Sequence, residues 1–197
     1  MADSIFQTLS AEASAGGITR RTVAARDWFI KRLKSIGRVN PSAILADSTL
    51  IKKNAPLPGR MFMFIYDPKG KGELPYYDKF PLILMVGPAT DGFYGLNLHY
   101  LPPLLRAKFL DKLMAFASSK DLDENTKIVF SYKLLASASK FKEFAPCFKH
   151  YLTSHIKSKI EMVPAPEWDI AVFMPTEQFA GKSATGVWLD SRQTAGI

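Results

Sequence analysis

The chain has 197 residues and carries 26 Lys and Arg against 18 Asp and Glu, a formal charge of +8. Its 47% hydrophobic residues, with 14 Phe, 7 Tyr and 3 Trp, supply a packed core, which excludes a disordered tail, and the length fits one compact domain or a small module with helical additions. One cysteine, Cys147, excludes an internal disulfide framework or a multi-cysteine metal centre, and no apolar run reaches the roughly 18 to 20 residues of a membrane span, so no membrane partner is expected.

The N-terminal stretch MADSIFQTLSAEASAGG lacks the basic leader and apolar segment of a secretory signal. Thr19 is placed to cap a helix to about Ile36, with Val23, Ile30 and Leu33 as its apolar stripe, Trp28 or Phe29 at the edges and Gly37 at its end. Arg20, Arg21, Arg26, Lys31, Arg32 and Lys34 lie largely around that stripe. Such a basic amphipathic helix suits DNA, an anionic surface or a protein groove. A short helix is expected from Pro41 to Asp47, with the proline in its first turn.

Short apolar and aromatic runs follow at Arg60 to Tyr66, Leu82 to Val86 and Phe93 to Tyr100, the last after an Asp91-Gly92 turn, and read as strands. Runs this continuously apolar need cover on both faces. The expected fold is therefore α+β: a small SH3-like antiparallel sheet or barrel surrounded by helices. Pro102-Pro103 opens a helix to about Ser118 with Leu105, Phe109, Leu113 and Phe116 inward and Arg106, Lys108, Asp111 and Lys112 outward. Another helix is expected from about Asp123 to Ser139, a short one after Pro146, an alternating strand over Ile156 to Val163, and a last helix or strand over Pro166 to Phe173. The organisation expected is a basic helical region over 1–57, a central α+β domain over 58–180 and a flexible tail over 181–197.

The positive charge is concentrated in two segments, +8 over residues 20–60 and +6 over 127–159. Clusters of this size attract polyanions by displacing their counterions, and nucleic acid is the leading partner class. Cys147, His150 and His155 resemble a metal cluster, but on a helix their spacing does not converge, so no metal and no cofactor are expected. No Gly-x-Ser-x-Gly elbow or complete phosphate loop is present, so no catalytic residue is assigned. Among the aromatic pairs Tyr76-Tyr77 and Phe93-Tyr94, Tyr76 or Tyr77 is the expected exposed member. Val187, Trp188 and Leu189 in the tail are candidates for docking a protein neighbour.

The strings LPYYDKFPL (74–82) and GLNLHYLPP (95–103), with SYKLL, FAPCFKHYLTSHIKSKI and PEWDIAVFMP downstream, resemble the DNA end-protector proteins of T-even-like contractile-tailed bacteriophages over roughly Arg20 to Phe179. The resemblance implies a non-enzymatic virion protein, present in the host cytoplasm during assembly, that binds the ends of packaged linear double-stranded DNA and shields them from host exonuclease. It supplies no residue-level motif. The alternative expectation is a tail or baseplate component that binds neighbouring virion proteins.

Overall fold

The computed structural model describes residues 4–19, 22–37, 39–53, 55–117 and 144–195; the helix expected between Asp123 and Ser139 lies outside them. Helix α1 (Ile5–Ala15) is capped by the Ser4 hydroxyl, which accepts from the Gln7 amide, and buries Phe6, Leu9 and Ala13. Helix α2 (Val23–Ile36) is capped by Thr22 and not by Thr19, whose carbonyl instead accepts the Thr22 hydroxyl at 2.8 Å. Its buried stripe is Ala25, Phe29 and Leu33, a strict four-residue spacing, while Val23 is 71% exposed. The expected stripe differs because Phe29 stacks on Phe173, a contact distant in sequence, and so outcompetes Val23. Helix α3 (Pro41–Leu45) starts at its proline under an Asn40 cap.

The main sheet contains β1 (Ile51–Lys53), β2 (Met61–Met63), β4 (Leu82–Ala89), β5 (Gly92–Asn97), β6 (Phe148–Leu152) and β7 (Ile160–Val163), in the order β1-β7-β2-β4-β5-β6. All pairings are antiparallel, and β1 and β6 remain as edges, so the sheet is not closed into a barrel. A separate two-stranded ribbon pairs β3 (Tyr77–Asp78) with β8 (Phe179–Ala180). Strand alternation sends Met61, Met63, Leu82 and Leu84 into the main core, and Phe62, Phe64, Ile83 and Met85 into a second cluster on the opposite face. That explains the unbroken apolar runs: both faces are buried. Phe64 meets Tyr66, Phe93 and Tyr151 edge-on in the second cluster. At Gly92 a Cβ would lie 1.8 Å from the Tyr151 carbonyl oxygen, so only glycine permits the β5–β6 approach.

Beyond the sheet lie α4 (Pro103–Ala117), α5 (Trp168–Ala171) and α6 (Ala184–Ala195). Two expectations give way here. The Cys147 to His155 segment is a 3-10 turn, strand β6 and a second 3-10 turn instead of a helix, because β5 offers it a partner edge from Leu96 to Gly92. The segment after Gly181, expected to be loose, folds as α6 with Val187 fully buried. One core therefore draws on Phe6 and Leu9 of α1, the sheet, and Val187 of α6, crossing both expected boundaries.

Candidate nucleic-acid interface

Helix α2 divides its cations into two kinds. Arg26 donates to Asp111 of α4, and Arg32 forms a two-pronged bond with Glu12 of α1, from Nε at 2.6 Å and Nη2 at 2.8 Å. That fork holds the Glu12 carboxyl below its ordinary range, through the hydrogen bond first and the guanidinium charge second. These two arginines fasten helices together. Lys31 and Lys34, three residues apart and so on one helical face, are exposed and have no ion pair among the described residues.

Lys34 stands on the rim of an open groove of about 570 Å³. One wall is Ile30, Leu33 and Lys34 of α2; another is Pro102 to Leu105 with Lys108 at the start of α4; Trp188 and Arg192 of α6 close it. The floor is apolar and three cations surround it. Lys108 and Arg192 are exposed, and the lining's one acid, Glu177, faces the buried guanidinium of Arg106 at 3.4 Å.

Beneath the groove lies a polar network sealed from solvent. Arg106, expected on the outside of α4, is fully buried: Nε donates to the Leu101 carbonyl at 2.7 Å and Nη1 to Val172 and Glu177 at 3.3 and 3.4 Å. Burial pulls its guanidinium below the ordinary range, and the Glu177 charge works against that shift. The His99 carbonyl accepts the Trp188 indole N–H at 2.9 Å, and the Arg106 guanidinium carbon lies 5.7 Å from the centroid of the same indole. On its side chain, His99 Nδ1 is 2.7 Å from Asp78 Oδ2, and Nε2 is 3.1 Å from the Thr176 hydroxyl. Asp78 also accepts from the Asn97 side chain and the Phe80 and Gln178 amides. Burial alone would raise its carboxyl; the His99 contact and these donors outweigh it and hold the group below the ordinary carboxylate value. The trio of Asp, His and Thr has the order of a proton relay, yet all three are buried, and what it does is tie the β3–β8 ribbon to the end of β5.

A family model described as the phage T4 terminal DNA protecting protein matches residues 4–190. The chain belongs to that family. No curated protein and no solved structure matches it. Protection of DNA termini is thus the role this fold serves, and a tail or baseplate role is not favoured. The match spans α1 to the first half of α6, and so includes the network under the groove and every lining residue of the groove except Arg192.

Of the six cations assigned to DNA from the sequence, Arg20 and Arg21 lie outside the described residues, Arg26 and Arg32 are engaged in ion pairs, and Lys31 and Lys34 are free. Lys108 and Arg192 were missed, since only folding brings α4 and α6 beside α2; the signal available was Lys108 on an exposed helix face. In the second basic segment, Lys149 is half-buried with Nζ 4.2 Å above the Tyr100 ring, and burial lowers its pKa. Lys157 and Lys159 are exposed, and the cations from Lys127 to Lys142 lie outside the described residues. Of the two aromatic pairs, Tyr94 and not Tyr76 or Tyr77 is the exposed member, stacked at 5.3 Å on Phe148. Cys147 is buried, its thiol pushed up to about 12 by desolvation, and no metal-binding group of residues occurs among the described residues. Of the three expected docking residues, Val187 is in the core, Trp188 is bonded to His99, and only Leu189, 56% exposed, faces solvent.

Proposed function

We propose that this protein sits in the phage particle on the ends of the packaged linear duplex, and bars host exonuclease by occupying the terminus, without chemistry of its own. The observation that carries the reading is the meeting of unpaired cations from three helices, Lys34 of α2, Lys108 of α4 and Arg192 of α6, around one groove, with exposed Lys31 one helical turn from Lys34. A phosphate backbone needs such a cluster, because each contact releases condensed counterions. Arg20 and Arg21 directly precede α2 and add to the same charge in sequence. Four phosphate contacts give a log–log salt slope of about −3.6.

For the finer architecture, the order β7-β2-β4-β5-β6, with a 3-10 turn between β6 and β7 and the Tyr66–Ile156 bridge, supports an SH3-like arrangement. Leu189 and the exposed end of α6 are the surface left for neighbouring virion proteins. The test is digestion of linear duplex DNA by a processive exonuclease at low salt, with and without the recombinant protein. Protection that fades as salt rises is expected; digestion at the rate seen in buffer contradicts the reading.

A further inference from the structure

Phosphates look alike along a duplex, so a rim of cations does not distinguish a terminus from any internal stretch. What an end alone offers is the uncovered flat face of its last base pair, flanked by two backbones. We propose that the groove between α2, α4 and α6 seats that terminal base pair, with its apolar floor against the base face and Lys34, Lys108 and Arg192 on the flanking phosphates. This rests on the end-binding reading above and assigns the part of the molecule that makes it end-specific.

Three features of the groove fit this occupant. The first is its charge: three cations on the rim, and a lone acid, Glu177, already faced by Arg106 at 3.4 Å. A protein segment of mixed charge gains nothing from such a rim, whereas two phosphate strands complement it. The second is the apolar surface left uncovered inside the rim. Leu104 is 53% exposed at the start of α4, beside half-buried Pro102 and Pro103, and it lies one helical turn from Lys108. Apolar area next to a cation suits a nucleobase stack over its backbone. The third is rigidity. The Trp188 indole is fixed by its bond to the His99 carbonyl, with Arg106 beside its ring, so the wall is set before DNA arrives.

The test compares two duplexes of the same sequence, one with open blunt ends and one sealed into a dumbbell by hairpin loops, using the full-length protein. Leu104→Gln removes the apolar lip without changing charge, and Leu104→Met keeps it; both variants change one exposed position, so thermal stability should match the parent. The parent is expected to bind open ends about tenfold tighter than sealed ones, Leu104→Gln to lose most of that preference, and Leu104→Met to keep it. A 2-aminopurine at the terminal base should change fluorescence on binding, and the same probe at an internal position should not. If the parent binds open and sealed duplexes equally and leaves ends digestible, the end-binding reading fails and this proposal with it. If the parent prefers open ends but Leu104→Gln does too and the terminal probe is silent, the end-binding reading stands and the groove is the wrong site. If Leu104→Gln leaves DNA binding intact but is lost from assembled particles, a virion protein occupies the groove and the proposal is overturned.

Discussion

On α2, Lys31 and Lys34 stand in water with no partner among the described residues, while one layer below them Arg106 is sealed off and meets carbonyls and a carboxylate through its guanidinium. The same kind of charge is placed for opposite ends. Water pays the cost of keeping the lysines charged, and they remain available to a polyanion; Arg106 keeps its charge only because the fold supplies acceptors, so it serves the fold. Specific wording in the sequence belongs to the second case. Asp78 sits in LPYYDKFPL, and Asn97 and His99 in GLNLHYLPP, so the family's distinctive strings encode the network under the groove, whereas the basic helix that touches solvent is generic.

If that contrast is right, the largest effect comes from breaking the network. Asp78→Ala leaves His99 and Asn97 without their shared acceptor and should cost about 3–5 kcal/mol in denaturant unfolding. Arg106→Lys should also destabilise, since an ammonium cannot reproduce the fork; stability equal to the parent would mean the contacts are dispensable. Next, replacing Lys31, Lys34, Lys108 and Arg192 together by Gln should collapse DNA binding and flatten its salt dependence, while the unfolding midpoint moves little. A destabilised quadruple variant would place those side chains with Arg106 and not against it.

The pH dependence sharpens the contrast further. The folded-state pKa of Asp78 lies below its unfolded value, so its contribution is complete above the ordinary carboxylate range and is lost as pH falls through the lower folded value. Acid titration of stability should show this limb in the parent and a flatter one in Asp78→Asn. The smallest effect is expected from single changes on α2: Lys31→Gln or Lys34→Gln should reduce the salt slope by about 0.9 each, if each holds one phosphate, and leave stability within about 0.5 kcal/mol. Arg32→Gln, which loses the Glu12 fork, should alter DNA binding less than either.

Much of the local structure was readable from the chain. The end of α2 at Gly37, the proline starts of α3 and α4, and the β4–β5 hairpin at Asp91-Gly92 all depend on residues a few positions apart. What was missed depends on distant partners. His150 pairs with Tyr94 across β5 and β6, which turned an expected helix into a strand. Val187 lies in a segment whose polarity and glycine content rise from Gly181, yet it enters the apolar core in space, so α6 reads as a loose tail until the sheet is present to bury it. The site divides in the same way: Lys31 and Lys34 are visible as a basic helix, but nothing local says that Glu12 and Asp111 engage Arg32 and Arg26, or that Arg192 arrives beside Lys34.

What the α2 face touches in the mature phage decides whether DNA is its partner. A photo-crosslinking side chain at position 34, activated in intact particles, followed by sequencing of any attached DNA, reads this directly. Cross-linked DNA drawn from the genome termini is the result predicted here. Cross-links to polypeptide alone, or to DNA spread evenly along the genome, would contradict it.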